Sequence, residues 1–100
     1  MFRQGDVLIL TPLPLPNEAT RKSTDVVAEG EATGHSHRLV GGELWDTGAG
    51  GLMVVAGDDA KLTHEEHAMM PLPATRPGEA YPITIQREYD DEEAWRQVAD

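Results

Sequence analysis

Apolar residues recur along this chain in short runs: Val7 to Thr11, Asp25 to Glu29, Gly34 to Val40, Glu43 to Asp46, Leu52 to Val55, Ala60 to His64, Met69 to Pro73 and Tyr81 to Tyr89. Each run is too short and too rich in β-branched residues for a helix, and glycine, proline or aspartate punctuates the gaps, so the pattern predicts strands. The last run alternates with period two. Tyr81, Ile83 and Ile85 share one face, and Thr84, Gln86 and Glu88 share the other.

The segments between the runs read as connectors. Alternating prolines in Pro12-Leu13-Pro14-Leu15-Pro16 cannot donate to a ladder and favour a stiff extended link. Gly30 and Gly34 mark a turn or bulge. Thr47-Gly48-Ala49-Gly50-Gly51 resembles a phosphate-binding loop in composition, but such loops lead into a helix, whereas Leu52-Met53-Val54-Val55 is strand-like, so a hairpin turn is expected. Gly57-Asp58-Asp59 reads as a further turn. Only the C-terminus is helical in pattern: Asp90 can cap a helix with Glu93 three residues on, and Trp95, Val98 and Ala99 form a narrow apolar stripe. The expected fold is mainly β, a small single-domain barrel or sandwich over residues 1–90 with a short helix or tail over 91–100.

Composition narrows the function. One hundred residues support one modest core. The net charge is -10, and the eight Lys and Arg residues are dispersed, so the clustered basic footprint of a nucleic-acid surface is missing. No apolar run approaches the roughly 20 residues of a membrane-spanning helix. The charged, glycine-containing start Met1 to Asp6 predicts no signal peptide, and a cytoplasmic protein is the default expectation. Exposed strand edges make a homo-oligomer an expectation too.

Histidine changes the picture most. All four histidines fall in two pairs, Gly34-His35-Ser36-His37 and Thr63-His64-Glu65-Glu66-His67. Neutral imidazole is the commonest ligand for transition metals, and sites draw their ligands from short segments that the fold brings together. With no cysteine in the chain, the donors must be nitrogen and oxygen, which suits zinc as a default and also nickel, iron, manganese or copper. On a strand, His35, His37 and Leu39 share a face. His64 ends a strand-like run and is the favoured ligand of the second pair, whereas His67, three residues on, lies where the chain is expected to curl. A zinc-protease helix is rejected, because its histidines are four apart.

Gly30, His35-Ser36-His37, Glu43 and Gly50 resemble the first motif of the cupin superfamily: glycine, His-x-His, glutamate, glycine. Gly57 and His64 stand where the second motif would lie, without its Pro-x-Gly or asparagine. The resemblance implies a double-stranded β-helix with His35, His37, Glu43 and His64 as ligands. The chain as a whole also resembles small uncharacterised bacterial and phage-encoded proteins, a likeness that implies no activity.

Two functional classes follow. In one, an enzyme acts on a small molecule at an open metal position, with Glu66 and His67 moving protons beside it and Arg87 and Tyr89 binding an anionic ligand from the face of Ile83 and Ile85. In the other, His67 or Glu43 closes a four-ligand site in a non-enzymatic binding or structural module.

Overall fold

The computed structural model describes residues 1–29, 35–48 and 51–85. They form nine strands: β1 (Phe2–Gln4), β2 (Val7–Ile9), β3 (Leu13–Pro14), β4 (Thr20–Arg21), β5 (Val26–Glu29), β6 (Ser36–Asp46), β7 (Leu52–Thr63), β8 (Met70–Pro71) and β9 (Glu79–Ile85). The sheet runs β1-β2-β9-β7-β6-β4, with β3 on β9, β5 on β6 and β8 on β7. All pairings are antiparallel. The mainly-β class is as the sequence pattern predicts, and no helix occurs among the described residues. The expected C-terminal helix, the whole Gly30–Gly34 turn, and Ala49 and Gly50 of the expected Thr47–Gly51 turn lie outside them.

The first hairpin follows from local chemistry. Gln4 pairs with Val7, leaving Gly5 and Asp6 as a two-residue loop, and Gly5 takes φ 59°, the sign that primed hairpin turns require.

The central pair β6 and β7 departs from expectation. The pattern reads as four short strands, but the structure joins them into two long ones, of 11 and 12 residues. Val40 pairs with Lys61 and Gly42 with Ala56, so one β6 residue between these pairs faces four of β7. Gly57-Asp58-Asp59 is thus absorbed as a bulge instead of turning the chain back. Glycine permits this. Gly41 has φ 77°, and a Cβ there would lie 2.9 Å from the Asp59 carbonyl oxygen, too close for any side chain.

The barrel expected from strand number is not formed, and neither is the closed double-stranded β-helix that the cupin resemblance implies. The sheet path keeps two ends, at β1 and β4. The sheet curls enough to bring β1 against β8, yet no ladder joins them among the described residues. A side chain, that of Gln4, makes the connection instead, donating to the carbonyls of Leu62 and Ala68.

The core lies inside this curl. Val7, Ile9, Leu44, Val54 and Leu62 are its largest fully enclosed side chains, each worth roughly 1.5–3 kcal/mol of burial. Phe2 meets Tyr81 edge-on, and the Tyr81 hydroxyl donates to the Pro73 carbonyl at 2.6 Å, which ties β9 to the segment after β8.

Candidate functional site

Strand register brings the two histidine pairs together. Arg38 at the start of β6 pairs with Thr63 at the end of β7, so the next residues outward, His37 and His64, stand across from one another. Their ring centroids are 4.3 Å apart. His67 lies 4.4 Å from His64 and 5.8 Å from His37, nearly parallel to the latter, and His35 lies 5.7 Å from His64. The predicted alternation holds from His37 to Val40, with His37 and Leu39 buried and Arg38 and Val40 exposed. It does not hold at the start of the strand, where Ser36, which alternation puts on the face of Arg38, is buried and His35 only half-buried.

His37 is the buried member, 4 % exposed, and its surroundings define its chemistry. Gln4, itself buried, spends both amide hydrogens on backbone carbonyls, donating to Leu62 and Ala68 at 2.9 Å each. Carbonyls only accept, so this contact fixes which end of the amide is which. Gln4 Oε1 therefore faces His37 Nδ1, at 2.8 Å, and Nδ1 carries the proton and donates. Nε2, on the other side of the ring, stands 3.1 Å from Asp6 Oδ1.

The remaining members cluster around this ring. His64, just past β7, accepts a hydrogen bond at Nδ1 from the Glu66 backbone N–H, 3.0 Å away. In this arrangement a neutral His64 carries its proton on Nε2. His67 covers the first hairpin so closely that a Cβ on Gly5 would come within 2.6 Å of its Nε2. His35 Nδ1 lies 3.1 Å from Glu66 Oε1. Glu65 accepts from the Ser36 N–H at 3.0 Å, and that bond, after one from its own backbone N–H, holds its carboxyl below the usual range.

Burial pushes the His37 pKa below 6.5, the neighbouring His64 adds to the shift, and Asp6 opposes it. An unfolded chain therefore takes up a proton on this residue more readily than the folded one. The stability gained by keeping His37 neutral is fully present above pH 6.5 and is lost as pH falls from there through the lowered folded value. The thermal midpoint of metal-free protein should accordingly drop between about pH 7 and about pH 5, with a shallower drop in a His37→Asn variant. Equal slopes for the two proteins would assign the acid sensitivity elsewhere.

The sequence-derived candidates divide sharply. His35, His37, His64, His67 and Glu66 assemble at one end of the sheet. Glu43 does not join them: six residues further along β6, about 20 Å for extended chain, it pairs with Arg21 at 3.4 Å and accepts from the Trp45 indole N–H at 3.2 Å. Its alternation and the long unbroken β6 carry it away from the histidines, which removes it from the ligand set. Arg87 and Tyr89 lie outside the described residues, as do Gly30 and Gly50 of the cupin-like motif. Gln4, Gly5 and Asp6 are the members that sequence reasoning missed. Their one signal is a Gly-Asp turn ahead of an apolar strand, which marks a hairpin and says nothing of what the hairpin touches.

Among the described residues, no three His, Asp or Glu side chains have their donor atoms set around a single point that could hold a metal ion. The ring nitrogens of His37 and Nδ1 of His64 and His35 are turned instead toward Gln4, Asp6, Glu66 and the backbone. Also among the described residues, no helix is long and apolar enough to cross a membrane.

Compared with known proteins, the chain matches no curated protein and no solved structure. A family model does match, over residues 3–86, a span that takes in both histidine pairs and the Gln4–Asp6 turn. The chain belongs to the family described as Domain of unknown function (DUF8820).

Proposed function

We propose that this chain is a small metal-binding β domain in which the two histidine pairs serve one divalent transition ion, with zinc the default. The observation that carries the reading is the convergence of all four imidazoles, from segments some thirty residues apart, to ring separations of 4.3–5.8 Å. Like-charged imidazolium rings would repel at these distances, and a shared cation gives neutral rings a common partner. The donor chemistry fits, since nitrogen and carboxylate oxygen surround the cluster and sulfur is absent from it. Loading requires side-chain rotation. The exposed His67 ring and the half-buried His64 and His35 rings have the solvent access to make it.

The enzyme reading rests on a different observation. Glu66, 62 % exposed, sits 3.1 Å from His35 at the rim of the cluster, an imidazole–carboxylate pair suited to moving protons near neutral pH. A small-molecule substrate is the class this reading implies, the metal polarising an oxygen of it.

Tag-free protein should bind about one zinc ion per chain, and a His35→Ala, His37→Ala double variant should lose most of that affinity. Elemental analysis and competition against a chelator measure both. Undiminished affinity in the double variant would overturn the proposal. His67→Ala separates the two functional classes: an emptied site makes His67 a ligand and favours the binding module, and retained metal with lost turnover places it in proton transfer.

A further inference from the structure

We infer that the anchoring ligands of this site are His37 Nε2 and Asp6 Oδ1, with Gln4 as the positioning residue that presents Nε2, and that the pair takes a divalent ion accepting one nitrogen and one carboxylate oxygen. The inference rests on the metal-binding reading above and adds a ligand and a positioning residue to it.

The argument begins at Gln4. Its amide is locked by two backbone carbonyls, so its oxygen demands a proton on His37 Nδ1. A neutral imidazole so held has its lone pair on Nε2. That lone pair points at a carboxylate oxygen 3.1 Å away, which has lone pairs of its own. Two acceptors at this distance call for a positive species between them, either a second ring proton or a bound cation. Donors about 2.0–2.2 Å from a common ion at the roughly 90–110° of octahedral or tetrahedral coordination are themselves about 2.8–3.6 Å apart. The 3.1 Å gap, which is also that of a hydrogen bond, therefore lets both atoms serve as adjacent ligands of one ion. A protein group that orients a ligating histidine through its other nitrogen is the usual supporting arrangement of metal sites, and here buried Gln4 supplies it.

The placement also explains the first hairpin. Gly5 and Asp6 form its two-residue loop, so a turn with φ 59° at Gly5 fixes Asp6 against His37 while leaving room for His67 above Gly5. Asp6 is 44 % exposed in its side chain and His37 5 %, so one ligand is fixed in the core and the other lies at the solvent edge through which an ion can enter. His64 and His67, at 4.3 and 5.8 Å from the His37 ring, lie near enough to complete the shell after reorientation.

The test uses the full chain, metal-free and zinc-loaded. Long-range nitrogen–proton NMR of metal-free protein at about pH 8 should find His37 protonated on Nδ1 and bare on Nε2. Zinc should then shift the Nε2 signal. Asp6→Asn, nearly isosteric and at a partly exposed position, should keep the thermal midpoint of the metal-free protein and weaken zinc affinity at least about ten-fold, since loss of a supporting group alone costs that much. Gln4→Glu places a carboxylate against the Leu62 and Ala68 carbonyls and should lower affinity with both ligands still present. A proton on Nε2 of metal-free His37 at that pH would overturn the inference, as would unchanged zinc affinity in Asp6→Asn while the wild type binds. Failure of the wild type to bind zinc, nickel, manganese or iron would overturn the metal-binding reading itself.

Discussion

Replacing Leu62 by alanine should destabilise the fold by about 3–4 kcal/mol. Leu62 has no solvent exposure and lies on β7, which pairs with β6, β8 and β9. Its neighbours belong to paired strands that cannot collapse into the gap without breaking ladder hydrogen bonds, so most of the cavity should persist. The Leu62 carbonyl also receives Gln4, so loosening β7 at this point should disturb the histidine cluster as well. Chemical denaturation measures the loss. Leu13→Ala is the contrast, since Leu13 is 55 % exposed on the two-residue strand β3 and should cost under about 0.5 kcal/mol. Similar losses for the two would mean that the core is not where the buried residues place it.

Gln4→Leu should cost about 2–4 kcal/mol although it places a hydrophobic side chain in a buried position. Leucine gains little, because the methylenes of Gln4 are already out of water. It leaves the carbonyls of Leu62 and Ala68 and the Nδ1 proton of His37 without their partner, each a buried polar group whose lost hydrogen bond costs about 1–3 kcal/mol where water cannot reach it. Desolvation therefore outweighs burial. β1 has three residues and a ladder on one side only, so this side chain is its main tie to the far side of the curl. Unfolding by denaturant should show the loss, and the His37 nitrogen signals should move toward a tautomer mixture. Wild-type stability in Gln4→Leu would show that water replaces the amide at no cost.

These two residues differ in how visible they are before folding. Leu62 lies in a run whose composition announces a strand, and nothing about its role needs more than that pattern. Gln4 is one polar residue near the start of an acidic chain. Its neighbours His37 and Leu62 are 33 and 58 residues away in sequence, and no local periodicity encodes such contacts.

The histidines stand between these cases. They are rare in this chain, four in 100, so their grouping into two pairs is itself a signal, and the sequence alone points to their convergence. It also predicts the inward face of His37 and Leu39 and the curl after His64, because alternation along a strand and the departure from it are local properties. Carboxylates carry no such signal. With 18 Asp and Glu residues, a pattern search has no ground for singling out Asp6, which the fold sets beside His37, and the cupin-like spacing pointed to Glu43, which lies far along β6 from the histidines.

What the sequence determined by itself is thus the strand class and the grouping of the four histidines into two pairs at strand ends. Side-chain alternation and turn propensity act over a few residues and survive without tertiary context. The tertiary structure decided the rest. It joined four expected strands into two, because the close approach of Gly41 to Asp59 lets a turn signal be absorbed as a bulge. It left the sheet open, and it set the β6–β7 register that places His37 across from His64. By curling β1 over the end of that pair it delivered Gln4 and Asp6 to the two nitrogens of one imidazole. Register and curl are fixed by packing among strands distant in sequence, and so they are not written in any one segment of the chain.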